Sequence, residues 1–215
     1  MHNASSCLLV YGLRKSDDRI VSINDVSRGK ECGCVCPKCG VDLLARKGDI
    51  NEHHFAHSGD AVCRWAPETA LHQLAKQIIA ESKVILLPGG NQLQDYKCEI
   101  EPTIDRFRPD ALLRAEGKIV WVEVFVCAEV TIQKNRFLEE QIYEAMEIDL
   151  ADLPRNITID ELRPIVLDHA TRRRRLSLPA QTRALETGFS SLWGVVLVPI
   201  ALLIVTACLL LRKKR

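Results

Sequence analysis

The segment FRPDALLRAEGKIVWVEVFV, residues 107–126, constrains the fold more than any other part of the chain. Its two strand-like runs are joined by AEGK, and a two-residue loop at Glu116-Gly117 makes a β-hairpin with glycine where a positive φ is required. The antiparallel register that follows from this turn places Asp110 directly opposite Glu123. Directly paired residues have Cβ atoms ~5 Å apart. Two carboxylates are therefore predicted to lie side by side in an otherwise apolar hairpin.

Two like charges at that separation repel each other, and both are costly to remove from water. A shared proton, a cationic side chain or a divalent metal ion must offset this cost. Mg²⁺ is suited to the site because it prefers carboxylate oxygens and water as ligands. The structural alternative is that Asp110 and Glu123 form salt bridges with Arg106, Arg108 or Lys118.

A helix is predicted before the hairpin, in APETALHQLAKQIIAES at residues 66–82. Apolar residues recur there at helical spacing, and proline is acceptable in the first turn. They are Leu71, Leu74, Ala75, Ile78 and Ile79. The polar residues Glu68, His72 and Lys76 fall on one face at four-residue intervals. Glu68 is therefore a candidate third carboxylate for a metal site.

The order of the predicted elements indicates an α/β domain. After the helix come three strand-like runs, YKCEIEP, FRPDALLR and KIVWVEVFV, then a helix in IQKNRFLEEQIYEAM and a strand in AMEIDLADL. The predicted core is α-β-β-β-α-β, and its last strand–helix–strand unit should be a parallel crossover.

Cysteine and histidine residues are concentrated before this core. Five of the nine cysteines lie between Cys32 and Cys63, close to three histidines, which favours metal ligation over a disulfide framework. Cys36 and Cys39 have the C-x-x-C spacing of a zinc knuckle. The segment VDLLARKGDINEHHFAH reads as a hairpin that returns His57 towards Cys39.

The fourth ligand of this structural zinc site is either His54 or Cys63. Thiolate affinity favours Cys63, whereas the pairing of His54 with His57 in H-x-x-H favours the histidine. Cys32 and Cys34 are interpreted as small buried residues, as unpaired cysteines commonly are.

The end of the chain differs in character. Residues Thr187 to Leu211 contain no charge and are followed by RKKR, so the run is long enough for a transmembrane helix. The first 18 residues have no basic leader segment, and the thiols need a reducing compartment. We therefore expect a single-pass tail anchor in the cell inner membrane, with the body on the cytoplasmic side. ALETG before the run also resembles a cell-wall sorting signal, but that motif's proline is missing.

Four pieces are predicted: a zinc-binding β subdomain at 1–66, the α/β core at 67–150, a basic connector at 151–186 and the anchor at 187–215. Residues 1–150 have 18 basic and 23 acidic residues, whereas residues 151–215 have 11 and 5. RRRRLSLPAQTR in the connector reads as a flexible charged linker. It is suited either to nucleic-acid phosphates or to anionic lipid headgroups.

RPD, twelve residues and then EVF resemble the signature of the PD-(D/E)xK nucleases. More narrowly, CVCPKCG, HHFAH, ETALHQLAK, RPDALL, WVEV and AMEIDL, in that order between Gly29 and Leu150, resemble the competence protein CoiA-like nuclease family. The resemblance implies a restriction-endonuclease-like core. It also implies Mg²⁺-dependent cleavage of DNA, with Asp110 and Glu123 as magnesium ligands and Glu68 as the acidic residue of the helix.

One position departs from that pattern. The signature lysine should lie two residues after Glu123, where this chain has Phe125. Either the role has moved to Lys134 on the following helix, with Gln133 as an additional water-positioning candidate, or hydrolysis is lost. The expected function is a membrane-anchored Mg²⁺-dependent endonuclease that acts on DNA. The alternative is an inactive nuclease fold that binds nucleic acid or a protein partner.

Overall fold

The computed structural model describes residues 8–59, 63–115, 117–127, 130–140 and 143–177. Within these ranges the protein is mixed α/β, with three α-helices and four β-sheets. The helices are α1 (Ala66–Glu81), α2 (Ile132–Glu140) and α3 (Ile159–Asp168). The strands are β1 (Tyr11–Arg14), β2 (Arg19–Ser22), β3 (Cys34–Val35), β4 (Leu43–Arg46), β5 (His54–His57), β6 (Val84–Leu86), β7 (Gln92–Gln94), β8 (Lys97–Ile100), β9 (Ala111–Ala115), β10 (Lys118–Phe125), β11 (Glu144–Asp149) and β12 (Arg173–Ser177).

Five short strands build the N-terminal part. They form a sheet of order β2-β1-β3 and a separate antiparallel hairpin of β4 and β5, in which Leu43 pairs with His57. Gly12 in β1 lies against this hairpin, because a Cβ there would be 3.1 Å from Leu43 Cδ1 and 3.2 Å from Cys34 Cβ. The missing side chain at Gly12 thus lets the sheet and the hairpin pack directly on each other.

Helix α1 connects this part to the rest of the fold. The apolar stripe predicted from the sequence is buried, with Leu71 and Leu74 fully inaccessible, and the proline lies in the first turn. The helix ends at Glu81, and the N–H of the capping residue Ser82 bonds to the carbonyl of Ile78. Gln77 accepts a 2.8 Å hydrogen bond from the Ile20 N–H of β2. The N-terminal strands and the main sheet therefore share one hydrophobic core through α1.

The main sheet has the strand order β12-β11-β10-β9-β8. All neighbours are antiparallel except β10 and β11, which are parallel and are joined through α2. Taken in chain order, α1, β8, β9, β10, α2 and β11 give the predicted α-β-β-β-α-β series. A hairpin of β6 and β7 that the sequence reasoning did not foresee stands between α1 and β8.

The two faces of this sheet bury different clusters. On one face Leu113, Val120 and Val122 belong to the large core that includes α1. On the other face Trp121 packs with Leu138 of α2 in a smaller cluster. The alternation of side chains along β10 assigns Trp121, Glu123 and Phe125 to the same side of the strand.

The predicted hairpin register is confirmed. Ala115 pairs with Lys118 and Ala111 with Val122, and Gly117 has a φ of +74°. Glu116 lies outside the described residues. The ladder ends one pair before the position at which Asp110 would oppose Glu123.

Two expectations about the second half of the chain were wrong. The helix predicted to run to Met146 gives way to β11 at Glu144, where Ala145 and Met146 are fully buried in the sheet. The arginine-rich run predicted as a flexible linker begins as a 3₁₀ turn and continues as β12, the edge strand beside β11. A capping box of Thr158 and Glu161 starts α3. The domain boundaries themselves stay predictions.

Arg173, in the basic run, is buried and stabilises the fold. Only 8% of this residue is exposed, and its guanidinium donates hydrogen bonds to the carbonyls of Val166, His169 and Leu86. Two of those carbonyls belong to the end of α3 and its cap, where a cation is favourable. Burial lowers the pKa of Arg173 to about 10, which leaves it charged at neutral pH.

The predicted transmembrane segment, Thr187 to Leu211, lies outside the described residues. Among the helices that are described, none has the length and apolar character needed to cross a membrane.

Candidate active site and metal centre

A cavity of about 420 Å³ opens where β10 ends. Its walls come from α1, α2 and the sheet, together with Lys38 of the C-x-x-C loop. Asp110 and Glu123 both line it, and so do Glu68 and Lys134. All four residues predicted to carry the chemistry are thus gathered at one place, although they come from α1, the residue before β9, β10 and α2.

Asp110 is held by two donors on one oxygen. Its Oδ2 lies 3.0 Å from His72 Nε2 and accepts a 2.8 Å hydrogen bond from the Val124 N–H. Burial alone would raise the pKa of Asp110, but the hydrogen bond and charge of His72 outweigh it, and the pKa is lowered. Asp110 is therefore ionised at neutral pH.

Glu123 is held in the same way on one oxygen. Its Oε1 lies 2.5 Å from Lys134 Nζ and accepts a 2.5 Å hydrogen bond from Trp121 Nε1. Burial raises the pKa of Glu123, Lys134 opposes this, and the neighbouring Asp110 charge adds to the rise, so the pKa is above its usual value. No hydrogen bond within the described residues uses Oε2 of Glu123 or Oδ1 of Asp110.

The two carboxylates do not form the salt bridges that the sequence offered as a purely structural alternative. Arg106, Arg108 and Lys118 do not pair with either carboxylate, and Arg108 instead contacts Glu101. The cations come from the two helices that flank the sheet, His72 from α1 and Lys134 from α2. The pKa values shift in opposite directions because Asp110 also accepts from the Val124 N–H, whereas burial and the Asp110 charge disfavour ionisation of Glu123.

Lys134 does not have the solvated position of a typical helix-face lysine. Its side chain is 16% exposed, its Nζ donates to the Arg108 carbonyl at 2.9 Å, and it lies 5.6 Å from the centre of the Trp121 ring. Phe125 lines the same cavity two residues after Glu123. Gln133 is exposed on the same helix and is not among the residues that line the cavity.

The polar stripe of α1 contacts a different partner at each turn. His72 binds Asp110, and Lys76, which is 7% exposed, forms an ion pair with Glu101. Glu68 lies 3.9 Å from Arg155 Nε, and its Oε2 is buried without a hydrogen-bond partner in the described part of the chain. Glu68 thus lines the cavity, and within the described residues it forms no hydrogen bond with the two sheet carboxylates.

Sequence reasoning missed Glu147 and Lys38, which also line the cavity. Glu147 stands in β11 next to Glu123 in the parallel register. A charged residue inside the apolar run AMEIDL was a visible signal, but the strand pairing that brings it to Glu123 was not. Lys38 is exposed and lies inside the C-x-x-C motif, where attention falls on the cysteines.

A second group of side chains lies in the N-terminal part. Ligand atoms of Cys36, Cys39, His57 and Cys63 all lie within 4.8 Å of one another. The hairpin pairing of Leu43 with His57 brings the histidine to the C-x-x-C loop, as predicted. Nε2 of His57 is buried and has no hydrogen-bond partner among the described residues, as expected for a nitrogen reserved for a metal ion.

This Cys₃His set fits zinc, which favours thiolate and imidazole ligands in a closed tetrahedral site. Of the two alternatives for the fourth ligand, Cys63 is in the group and His54 is not. His54 pairs with Arg46 at the other end of the hairpin, and its Nδ1 contacts the Glu52 carbonyl at 2.9 Å.

The remaining thiols of the cluster agree with this assignment. Cys32 and Cys34 are buried, and their thiols donate to the carbonyls of Leu43 and Cys32, as expected for structural residues. Burial raises the pKa of Cys63 to about 11, whereas the Val41 N–H lowers the pKa of Cys39.

Residues 21–66 match the family described as competence protein CoiA, N-terminal domain. The matched segment contains the whole Cys₃His group and ends at the first residue of α1. This match supports the CoiA-like part of the resemblance seen in the sequence. No curated protein and no solved structure matches the chain significantly.

Proposed function

We propose that the protein is a Mg²⁺-dependent nuclease that cleaves DNA phosphodiester bonds, with a restriction-endonuclease-like core and a structural zinc ion. The observation that carries this proposal is the pair Asp110 and Glu123 in one cavity. Each carboxylate has one oxygen held by protein donors, and its other oxygen has no hydrogen bond within the described residues. The CoiA-like N-terminal segment supports the same reading.

The residues present fit a hard divalent cation. Four carboxylates line the cavity, together with two lysines, one histidine and Cys127, and no thiol of the zinc group is among them. Oxygen donors of this kind are those that Mg²⁺ selects. When bound, the cation supplies Lewis acidity towards a phosphate oxygen.

The protein's own residues have distinct roles in this proposal. His72 and the Val124 N–H orient Asp110, and its lowered pKa keeps the carboxylate ionised for a cation. Lys134 supplies the positive charge that Phe125 lacks. Its ammonium group contacts Glu123 and lines the cavity. A fixed charge next to a reacting phosphate stabilises the charge that develops in the transition state. Glu68 remains a candidate for orienting water on the α1 side.

The Cys₃His group has a different role. A closed set of three thiolates and one imidazole leaves no open position for a substrate, which favours a structural zinc ion. The carbonyl of Pro37, inside the C-x-x-C loop, accepts a 3.2 Å hydrogen bond from Gln73 of α1. This hydrogen bond connects the zinc-binding loop to the helix that carries Glu68 and His72.

The alternative is an inactive nuclease fold that binds nucleic acid or a protein partner. Phe125 at the lysine position favours it, and so does the acidic balance of residues 1–150. The basic run offers less help to DNA binding than its composition suggests. Its guanidinium groups contact Asp152, main-chain carbonyls, Glu147 and the Pro88 carbonyl within the fold.

A membrane location remains part of the proposal. The apolar segment of residues 187–211 would anchor the protein in the lipid of the cell inner membrane, with the body on the cytoplasmic side. Fractionation of cells that express the full chain tests this point. Recovery in the soluble fraction would refute it.

DNA cleavage by the purified full chain tests the function. With Mg²⁺ we expect nicking of plasmid DNA, and its loss in Asp110→Asn and Glu123→Gln. Asp105→Asn is the matched control, because Asp105 is exposed, does not line the cavity and has a φ of +54° that asparagine tolerates. Equal cleavage by all of these variants would refute the assignment, and DNA binding without any cleavage would favour the alternative.

A further inference from the structure

Lys38 is the lysine of the cavity wall that forms no ion pair within the described residues. Lys134, which also lines the cavity, is already paired with Glu123. Lys38 is exposed, and in the part of the chain that the structure describes its ammonium group has neither a carboxylate partner nor a hydrogen bond. Its positive charge is therefore available to a ligand that enters the cavity.

The carboxylates that line the cavity each have a basic partner within the fold. The pairs are Glu68 with Arg155, Asp110 with His72, Glu123 with Lys134 and Glu147 with Arg174. Lys38 thus adds a positive charge to a wall whose acidic groups are already paired. A cleft with low-dielectric walls concentrates the field of such a charge, and the field attracts an anion.

The C-x-x-C loop fixes the backbone of Lys38 at this wall. The Lys38 N–H donates to Cys36 Sγ at 3.4 Å, and the Pro37 carbonyl accepts a 3.2 Å hydrogen bond from Gln73 of α1. Gln73 is the sequence neighbour of His72, which lines the same cavity. The loop and α1 are therefore held together, and only the lysine side chain needs to become ordered when an anion binds.

We propose that Lys38 binds a phosphate of the DNA backbone beside the one that is cleaved, so that the zinc-binding loop forms part of the substrate-binding surface. This inference rests on the proposed function, because it takes DNA as the molecule that enters the cavity. A lysine ammonium is a compact charge on a flexible stem and binds phosphate without a fixed geometry. Phosphate contacts position DNA but carry no sequence information. Lys38 thus contributes affinity and register, and no sequence preference.

The substitution Lys38→Gln tests this role, because glutamine removes the charge and keeps a polar side chain. Lys30→Gln is the matched control, since Lys30 is also exposed in the N-terminal part, has no ion pair among the described residues and does not line the cavity. The assay is fluorescence anisotropy of a short labelled DNA duplex with the zinc-loaded full chain in detergent. Ca²⁺ replaces Mg²⁺, because it binds the same kind of oxygen ligand without the strict octahedral geometry of Mg²⁺. The affinity is measured over a range of salt concentrations, and the probe is checked for cleavage after each titration.

We expect Lys38→Gln to weaken DNA binding by about fivefold or more. The slope of log affinity against log salt should become shallower by about 0.9, the value for one lost phosphate contact. Lys30→Gln should stay within about twofold of the original protein, with the same slope. Unchanged affinity and slope in Lys38→Gln would overturn this inference and leave the proposed function standing.

Two further outcomes separate the inference from the proposed function. Binding that depends on Lys38 in a protein that cuts no DNA with Mg²⁺ would support the contact and refute only the hydrolysis. An original protein that neither binds the duplex nor nicks DNA would overturn both.

A second variant, Lys38→Arg, separates the charge from the shape of the loop. Arginine keeps the positive charge and can bind phosphate through its own donors, so its affinity for the duplex should stay within about threefold of the original. Equal losses in Lys38→Arg and Lys38→Gln would show that the residue acts only through the loop and would overturn the inference. Both variants should retain zinc, because the ligand group consists of other residues, Cys36, Cys39, His57 and Cys63. A shallower salt dependence with zinc retained is a result that a purely structural role would not produce.

Discussion

Replacement of Lys134 by methionine is the perturbation that most directly probes the electrostatics of the cavity. Lys134 Nζ is 2.5 Å from Glu123 Oε1, and the two side chains are only 16% and 10% exposed. Methionine keeps the length and apolar stem of lysine but removes the charge. Glu123 would retain only the Trp121 Nε1–H as a donor. The variant therefore leaves a buried carboxylate without its counter-ion.

The expected cost follows from that burial. Removing one partner of a fully buried ion pair destabilises a protein by ~3–5 kcal/mol. Here both side chains keep some contact with water. Glu123 can also take up a proton, which removes the cost of burying an unpaired charge. We therefore expect a loss of about 2–3 kcal/mol at pH 8, somewhat below the range for a fully buried pair. With a urea dependence of ~2 kcal/mol per molar, the unfolding midpoint falls by about 1 M.

The sign of the pH dependence is fixed by the raised pKa of Glu123. A carboxyl group whose folded pKa exceeds its unfolded value costs no charge-related stability below the unfolded value, near 4.5. The cost appears as the pH rises through the folded pKa. Without Lys134 that pKa rises further, so the difference between variant and original protein is small at pH 4 and grows towards pH 8.

Urea unfolding at pH 4 and pH 8, in buffer without added Mg²⁺ or Mn²⁺, measures this difference. Lys118→Met is the control, because Lys118 is exposed at the start of β10. We expect it to change the unfolding free energy by less than about 0.5 kcal/mol. An equal loss for Lys134→Met at both pH values would refute the reasoning, since it would show that the stem and not the charge stabilises the fold.

Three further predictions follow from the same contacts. Purified protein should carry one zinc ion, measured by elemental analysis, that Cys63→Ser loses and His54→Ala keeps; equal zinc in both would contradict the Cys₃His assignment. Arg173→Met should lower the free energy of unfolding by about 3 kcal/mol, because three carbonyls lose their donor, and a loss below about 1 kcal/mol by urea unfolding would contradict the cap. Thr158→Ala should cost about 1 kcal/mol in the same assay through the capping box, and no change would show that α3 is held by packing alone.

Local patterns were sufficient for much of the fold. The spacing of Leu71 and Leu74 identified α1, and the glycine at position 117 set the register that brings Asp110 towards Glu123. The zinc group followed from the C-x-x-C spacing and one hairpin. In each case the determining interactions connect residues that are close in sequence.

The features that escaped prediction depend on distant partners. Arg173 reads as part of a solvated charge run until the carbonyls of α3 and β6 are placed around it. Glu147 reads as an isolated charge until the parallel pairing of β10 and β11 sets it beside Glu123. Cys63 could not be chosen over His54 from spacing alone, since only the hairpin geometry separates them.

The position of a bound Mn²⁺ ion tests the central claim most directly. Crystals of the protein grown with Mn²⁺ would give an anomalous scattering peak at the metal. We predict a peak within ~2.0–2.6 Å of Asp110 Oδ1 and Glu123 Oε2. A cavity without a peak, in which His72 and Lys134 alone neutralise the two carboxylates at saturating Mn²⁺, would contradict the account.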